Sequence, residues 1–148
     1  YALYLKSKLC IDMVLDYSQS YLKKSSIASI IKNDWFLMNY YDYINYFPLE
    51  VLDFPEIKRI RLYTPNHFYV DGKHKKNDTF EIPKDLSRLE NLEELEILGK
   101  YFDELPLDTF KKLKKLKKLK LSVKKDFNID EVKSLLPDCT VDLREAYF

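Results

Sequence analysis

Four segments of the sequence repeat one pattern of apolar residues. They begin at Phe47, Ile82, Leu105 and Ile129, and each opens with an apolar residue followed by proline, or by Asp130 in the last copy. Each then carries an apolar residue at about every third position and ends with apolar and polar residues in alternation. Spacing near three is typical of helical turns and alternation is typical of a half-buried strand, so each segment predicts a helical turn or two followed by a short strand.

The spacing of the predicted strands indicates stacked repeats. Their apolar positions are Ile57, Ile60 and Leu62; Leu92, Leu95 and Ile97; Leu116, Leu119 and Leu121; and Cys139, Val141 and Leu143. Counted from the first position of each strand, the steps are 35, 24 and 23 residues. The long step requires an insertion, which we place at 64–79, where Asp71-Gly72 favours a tight turn. Because neither half of such a unit buries its apolar side alone, we expect the copies to stack with parallel strands around one core.

The segments from about Phe47 to Leu143 resemble the leucine-rich-repeat family, and the ending Leu-Leu-Pro-Asp-Cys resembles a terminal repeat of its bacterial members. The resemblance implies an α/β fold, namely a short leucine-rich-repeat solenoid with a parallel β-sheet on its concave face, and it implies a protein that binds other proteins. At the position where the family usually carries asparagine, this chain has Pro65, Lys100 and Lys124. The resemblance therefore predicts stacking but not a regular curvature.

Residues 1–46 predict an N-terminal helical cap on the end of the solenoid. Between Ala2 and Lys32, apolar residues recur at spacings of about three to five, which predicts two helices broken near residues 18–26. The run from Asp34 to Tyr40 is rich in strand-forming residues and predicts one further strand before the first repeat. We therefore expect a cap over 1–46 and a leucine-rich-repeat domain over 47–148 that form one compact unit.

Outward-facing residues of the predicted strands form three rows on the side of the sheet away from the core. The rows are Arg59, Glu94, Lys118 and Thr140; Arg61, Glu96, Lys120 and Asp142; and Tyr63, Leu98, Ser122 and Arg144. Opposite charges alternate along the first two rows. An alternative role for these side chains is therefore to form ion pairs with one another across neighbouring strands, each pair stabilising the sheet by roughly 0.2–1 kcal/mol. Tyr63 and Leu98, with Tyr101 close behind, are large residues of the kind that anchor protein interfaces.

We therefore predict that a partner protein binds this face of the sheet, the 64–79 insertion, or both. The predicted contact residues are Arg59, Arg61, Tyr63, Glu94, Glu96, Leu98, Tyr101, Lys118 and Lys120.

The lysine-rich run from Lys111 to Lys125 suggests an alternative function. As an isolated peptide it would resemble a basic amphipathic helix that binds nucleic acid or anionic membranes. The repeat register instead divides the run between a helical turn and a strand, glutamates upstream offset its charge, and no aromatic residues for base stacking lie between the lysines. Binding of a polyanion remains an alternative, as does a role as a constitutive structural subunit of a larger complex.

Residues typical of catalytic and cofactor sites are sparse. The chain has two histidines, His67 and His74, without neighbouring cysteine, and its two glycines cannot build a phosphate-binding loop. Cys10 and Cys139 lie far apart in apolar segments, which predicts reduced thiols and favours a cytoplasmic location. No segment has the roughly 20 apolar residues of a membrane span. We expect a protein that is not an enzyme and has no catalytic residues, cofactor or metal.

Overall fold

The computed structural model of the protein describes residues 11–15, 27–32, 35–38, 46–47, 49–70 and 72–145. Its strands are β1 (Ile11–Leu15), β2 (Ile27–Lys32), β3 (Trp35–Met38), β4 (Arg59–Thr64), β5 (His67–Val70), β6 (Lys73–Lys76), β7 (Glu94–Phe102), β8 (Lys118–Val123) and β9 (Thr140–Glu145). The helices among the described residues are two 3₁₀ helices, at Leu49–Asp53 and Lys84–Arg88, and two α-helices, α1 (Leu107–Lys112) and α2 (Ile129–Leu135).

Seven of these strands form one sheet in the order β1, β2, β3, β4, β7, β8, β9, while β5 and β6 form a separate hairpin. From β3 to β9 each neighbouring pair in the sheet is parallel. A 3₁₀ helix precedes β4 and another precedes β7, α1 precedes β8, and α2 precedes β9. The predicted α/β class and the parallel pairing of the repeat strands are therefore confirmed.

The four units share one turn between helix and strand. The backbone N–H of residue 57, 92, 116 or 139 donates to the carbonyl oxygen three residues earlier, at distances of 3.1, 2.9, 3.0 and 3.1 Å. Successive turns are also bonded to each other, because Glu93 N and Glu94 N donate to Lys58 O, and Lys117 N and Lys118 N donate to Glu93 O. The backbone N–H groups of the turns are therefore hydrogen-bonded in two ways, within each turn and to the preceding unit.

The prediction of N-terminal helices is wrong at the two segments that the structure describes there. β1 and β2 are antiparallel strands, and β2 is antiparallel to β3. The apolar residues of β2 include Ile27, Ile30 and Ile31, whose β-branched side chains favour an extended backbone. In an apolar run this short, the spacing of the residues cannot distinguish a helix from a strand. The rest of the predicted cap lies outside the described residues. β3 confirms the extra strand predicted before the first repeat.

One hydrophobic core lies between the sheet and the helical connections. Alternate residues of the parallel strands supply one side of it: Ile60, Leu62, Leu95, Ile97, Leu119 and Leu121, each 0–1% exposed. Leu86, Phe110 and Val132, all 0% exposed, come from the second 3₁₀ helix, α1 and α2. Burial of each such side chain stabilises the fold by roughly 1.5–3 kcal/mol, so the helices are held to the sheet by the repeated apolar pattern.

β7 contains an irregularity that sequence pattern did not predict. Its register with β8 runs to Ile97 opposite Leu121 and then resumes with Tyr101 opposite Ser122, so three residues of β7 bulge from the ladder. Gly99 lies in this bulge at φ +98°, and a Cβ atom there would be 2.6 Å from the carbonyl oxygen of Thr64. Only glycine allows the two backbones to approach so closely.

Candidate interaction surface

The first two predicted rows exist in the structure. Arg59 lies opposite Glu94, Glu94 opposite Lys118, and Lys118 opposite Thr140. One row further along the strands lie Arg61, Glu96, Lys120 and Asp142. We call these eight residues the charged face of the sheet. Because the strands are parallel and in register, cationic and acidic side chains alternate across it.

The third predicted row is interrupted between Leu98 and Ser122, whereas Ser122 does lie opposite Arg144, as predicted. Tyr63 does lie opposite Leu98, as predicted, but Ser122 lies opposite Tyr101. The cause is the bulge in β7, which shifts the strand by three residues relative to β8. Tyr63, Leu98 and Tyr101 are all half-buried, and the predicted row is replaced by a cluster around the bulge.

Tyr63 owes its position to Gly99. A Cβ atom at residue 99 would be 3.2 Å from Tyr63 Cε2, so the tyrosine ring lies directly against the glycine backbone. The contact with Gly99 restricts the rotamers of the Tyr63 side chain. An amphipathic aromatic side chain of this kind loses little conformational entropy when a partner binds it.

Glu96 is the centre of an ion-pair network on the charged face. Arg61 Nε donates to Glu96 Oε2 at 2.7 Å, and Lys120 Nζ is 3.0 Å from Glu96 Oε1. The Glu96 side chain is 10% exposed and that of Arg61 is 52% exposed. Burial works to raise the pKa of Glu96, but the hydrogen bonds from Lys120 and Arg61 outweigh it, so the pKa lies below its usual value. The acid is therefore held ionised between two cations on neighbouring strands.

Further polar contacts join the turns at the start of the strands. Lys117 Nζ lies 2.7 Å from Glu93 Oε2. Lys115 Nζ donates to Asn91 Oδ1 at 2.6 Å, and Asn91 Nδ2 donates to Pro55 O at 2.9 Å. These contacts connect successive units outside the core.

The predicted insertion is a β-hairpin held at its base by a buried asparagine. Val70 pairs with Lys73, so two residues connect the strands, and one of them is Gly72 at φ +74°, as the Asp-Gly pair predicts. Asn77, 1% exposed, donates from Nδ2 to Thr64 Oγ1 at 2.7 Å and to Pro65 O at 2.8 Å. Its Oδ1 accepts from the backbone N–H of Phe80 at 3.3 Å.

Lys100 completes this base from the bulge of β7. Its Nζ donates to the carbonyl oxygen of Asn77, and burial lowers the pKa of Lys100. Pro65 and Lys100 thus both contact Asn77, the buried asparagine that the insertion supplies. The burial of Asn77 could not be predicted from sequence, because its position within a polar loop carries no pattern that marks a buried residue.

The lysine-rich run is divided as predicted, with Lys111 and Lys112 in α1 and Lys118 and Lys120 in β8. Several of its lysines are in ion pairs: Lys117 with Glu93, Lys120 with Glu96, and Lys124 with Asp103. Lys112 and Lys114 have no such partner among the described residues, and with Lys115, Ser87, Glu90 and Asn91 they line an open groove of about 470 Å³. This groove lies among the helical connections and not on the charged face.

Residues of the usual catalytic and metal-binding types do not converge in the described part of the chain. No group of three or more histidine, cysteine, aspartate or glutamate residues within it has a metal-binding arrangement. His67 and His74 lie exposed on the hairpin, and Cys139 is half-buried, with a pKa raised by burial. Cys10 lies outside the described residues. Within those residues, no helix has the length and apolar character to cross a membrane.

Comparison of the sequence with protein-family models and with curated proteins gives no match.

Proposed function

We propose that this protein is an interaction module of the leucine-rich-repeat type, which binds another protein through the charged face and the Tyr63, Leu98 and Tyr101 cluster beside it. The observation that carries the proposal is the register of the parallel strands, which aligns the eight residues of the charged face into two rows and leaves the half-buried Tyr63, Leu98 and Tyr101 beyond them. Interfaces combine such aromatic and aliphatic anchors with a polar rim.

The charged face suits a macromolecular partner better than a small ligand. The recess among Arg59, Arg61, Glu94, Glu96 and Lys118 has a volume of about 10 Å³. Sites for small molecules are usually concave and have roughly 300–1,000 Å³. The Arg61, Glu96 and Lys120 network is already paired, so its side chains present a preorganised surface with little entropy left to lose on binding.

Photocrosslinking tests this proposal. A photoreactive phenylalanine analogue placed at Leu98 should crosslink one partner from the native cell extract, and the same analogue at Leu49 should not, because Leu49 is 58% exposed but lies in the first 3₁₀ helix, away from the charged face. Tyr63→Ala should then lower the affinity for the identified partner at least tenfold. Equal crosslinking at both positions would contradict the proposal.

A second candidate function is binding of a polyanion, either nucleic acid or an anionic membrane, through the lysine-rich run. The observation that favours it is the groove with Lys112 and Lys114, since both lack an acidic partner in the described structure. The charge reversal Lys112→Glu with Lys114→Glu should abolish salt-dependent binding of nucleic acid, whereas Lys117→Glu is a poorer probe because Lys117 is paired with Glu93. Affinity that does not change with salt or with the reversal would exclude this candidate.

A third candidate is a constitutive structural subunit of a larger complex. It predicts that the native protein migrates in one fixed stoichiometric assembly and that the free protein is absent from cell extracts. Size-exclusion chromatography of an extract, with detection by antibody, distinguishes this case from reversible binding.

A further inference from the structure

The last strand of the sheet differs from the strands inside it. β9 pairs with β8 along one edge, and no strand among the described residues pairs with its other edge. An open edge presents backbone donors and acceptors that can extend the sheet into another chain. Thr140–Glu145 is six residues long, long enough to form such a ladder.

The apolar side of β9 is also incompletely covered. Leu119 and Leu121 of β8 are 0% exposed, whereas Val141 and Leu143, their neighbours in β9, are only half-buried. Cys139 is likewise half-buried, in contrast to 0% exposure for Leu92 and 6% for Leu116 at the same position of earlier units. Within the described residues, the core therefore ends at β9 on half-buried apolar side chains that a strand on its open edge would cover.

The sequence of β9 is complementary to itself in one antiparallel register. When two copies pair about a two-fold axis at Leu143, Asp142 of each lies opposite Arg144 of the other, and Leu143 lies opposite Leu143. Directly opposite residues of an antiparallel pair share a face, so the two charge pairs form on the charged face and the leucines meet on the core side. Asp142 and Arg144 are 44% and 62% exposed, and their own contact is long, at 3.7 Å.

We infer that the edge of β9 is an interface for a second copy of this chain, which pairs antiparallel to the first with Leu143 on the two-fold axis. The interface is isologous and closed, so it makes a dimer and not a fibre. It uses the edge of the sheet and not the charged face, and it holds independently of the proposed partner binding. A strand of six residues makes a small interface, so we expect a dissociation constant in the micromolar range.

A charge-swap series tests the interface. Sedimentation at about 100 μM, where a dimer with a Kd of about 10 μM predominates, should show a dimer for the unaltered protein. Asp142→Arg and Arg144→Asp should each raise the Kd at least tenfold, because each brings like charges into opposition. The double variant should restore dimerisation. A monomeric unaltered protein, or a double variant as weak as the single variants, would overturn the inference.

Cysteine trapping tests the register even if a charge variant fails to fold. In a background with Cys10→Ala and Cys139→Ala, Leu143→Cys should form a disulfide between copies under mild oxidation. Val141→Cys is the matched control on the same face of β9, since the two copies of residue 141 would be about 13 Å apart, beyond the reach of a disulfide. Equal crosslinking of both variants, or none by Leu143→Cys, would contradict the proposed register.

Discussion

Replacement of Asn77 by alanine should destabilise the protein by about 3 kcal/mol. The side chain makes three hydrogen bonds, to Thr64 Oγ1, Pro65 O and Phe80 N, and each contributes about 1 kcal/mol net. The loss can be larger because Thr64 and Phe80 are 0% and 1% exposed, so their polar groups do not regain water. The magnitude therefore follows from the count of bonds and from the burial of their partners.

Urea unfolding followed by far-UV circular dichroism measures this difference. Asp78→Ala is the matched control, since Asp78 is the next residue, is 68% exposed and makes a surface ion pair with Lys76, whose loss should leave the unfolding midpoint nearly unchanged. If Asn77→Ala loses less than about 1 kcal/mol, or no more than Asp78→Ala, the asparagine does not anchor the hairpin as described.

Three further predictions concern the sheet. Gly99→Ala should cost about 2–4 kcal/mol in urea unfolding, because a Cβ atom there meets Thr64 O at 2.6 Å at a positive φ; an unchanged midpoint would refute the close approach. Leu119→Ala should cost about 2–5 kcal/mol by the same assay because its side chain is fully buried, whereas exposed Leu49→Ala should be nearly neutral. Glu96 has a pKa below its usual value of 4.5 in the folded state, so its contribution to stability is present above pH 4.5 and is lost as the pH falls through the folded pKa. Glu96→Gln should therefore reduce the loss of unfolding free energy at acid pH. If the variant and the unaltered protein lose stability equally with falling pH, the ion-pair network is refuted.

The parallel sheet and the charged face could be predicted from sequence because the repeat fixes both. Once Ile60, Leu95 and Leu119 occupy the core side, alternation places Arg61, Glu96 and Lys120 on the other face in the same register. The local apolar pattern and the stacking of the units thus favour the same strand register. The strands predicted from the repeats agree with β4, β7, β8 and β9, and the strand predicted before them agrees with β3.

The remaining features depend on contacts that no local pattern encodes. The apolar spacings of about three to five between Ala2 and Lys32 favour helices, and only the pairing of β1 with β2 and of β2 with β3 distinguishes strand from helix there. The bulge of β7 had one signal, the isolated Gly99 within a strand, which is typical of bulges and close backbone approach. For Asn77 the sequence offered no such signal.

The hairpin of β5 and β6 leaves and rejoins the sheet at one place, since Asn77 N donates to Asn66 O at 2.8 Å. The chain path of the repeats is therefore the same with the hairpin as without it. Because Asn77 closes the base of the hairpin and the side chains of Lys73–Lys76 are exposed, substitutions in β6 should leave the sheet intact, so this strand can acquire new binding preferences. In protein engineering terms, it is a natural site for grafting a recognition loop.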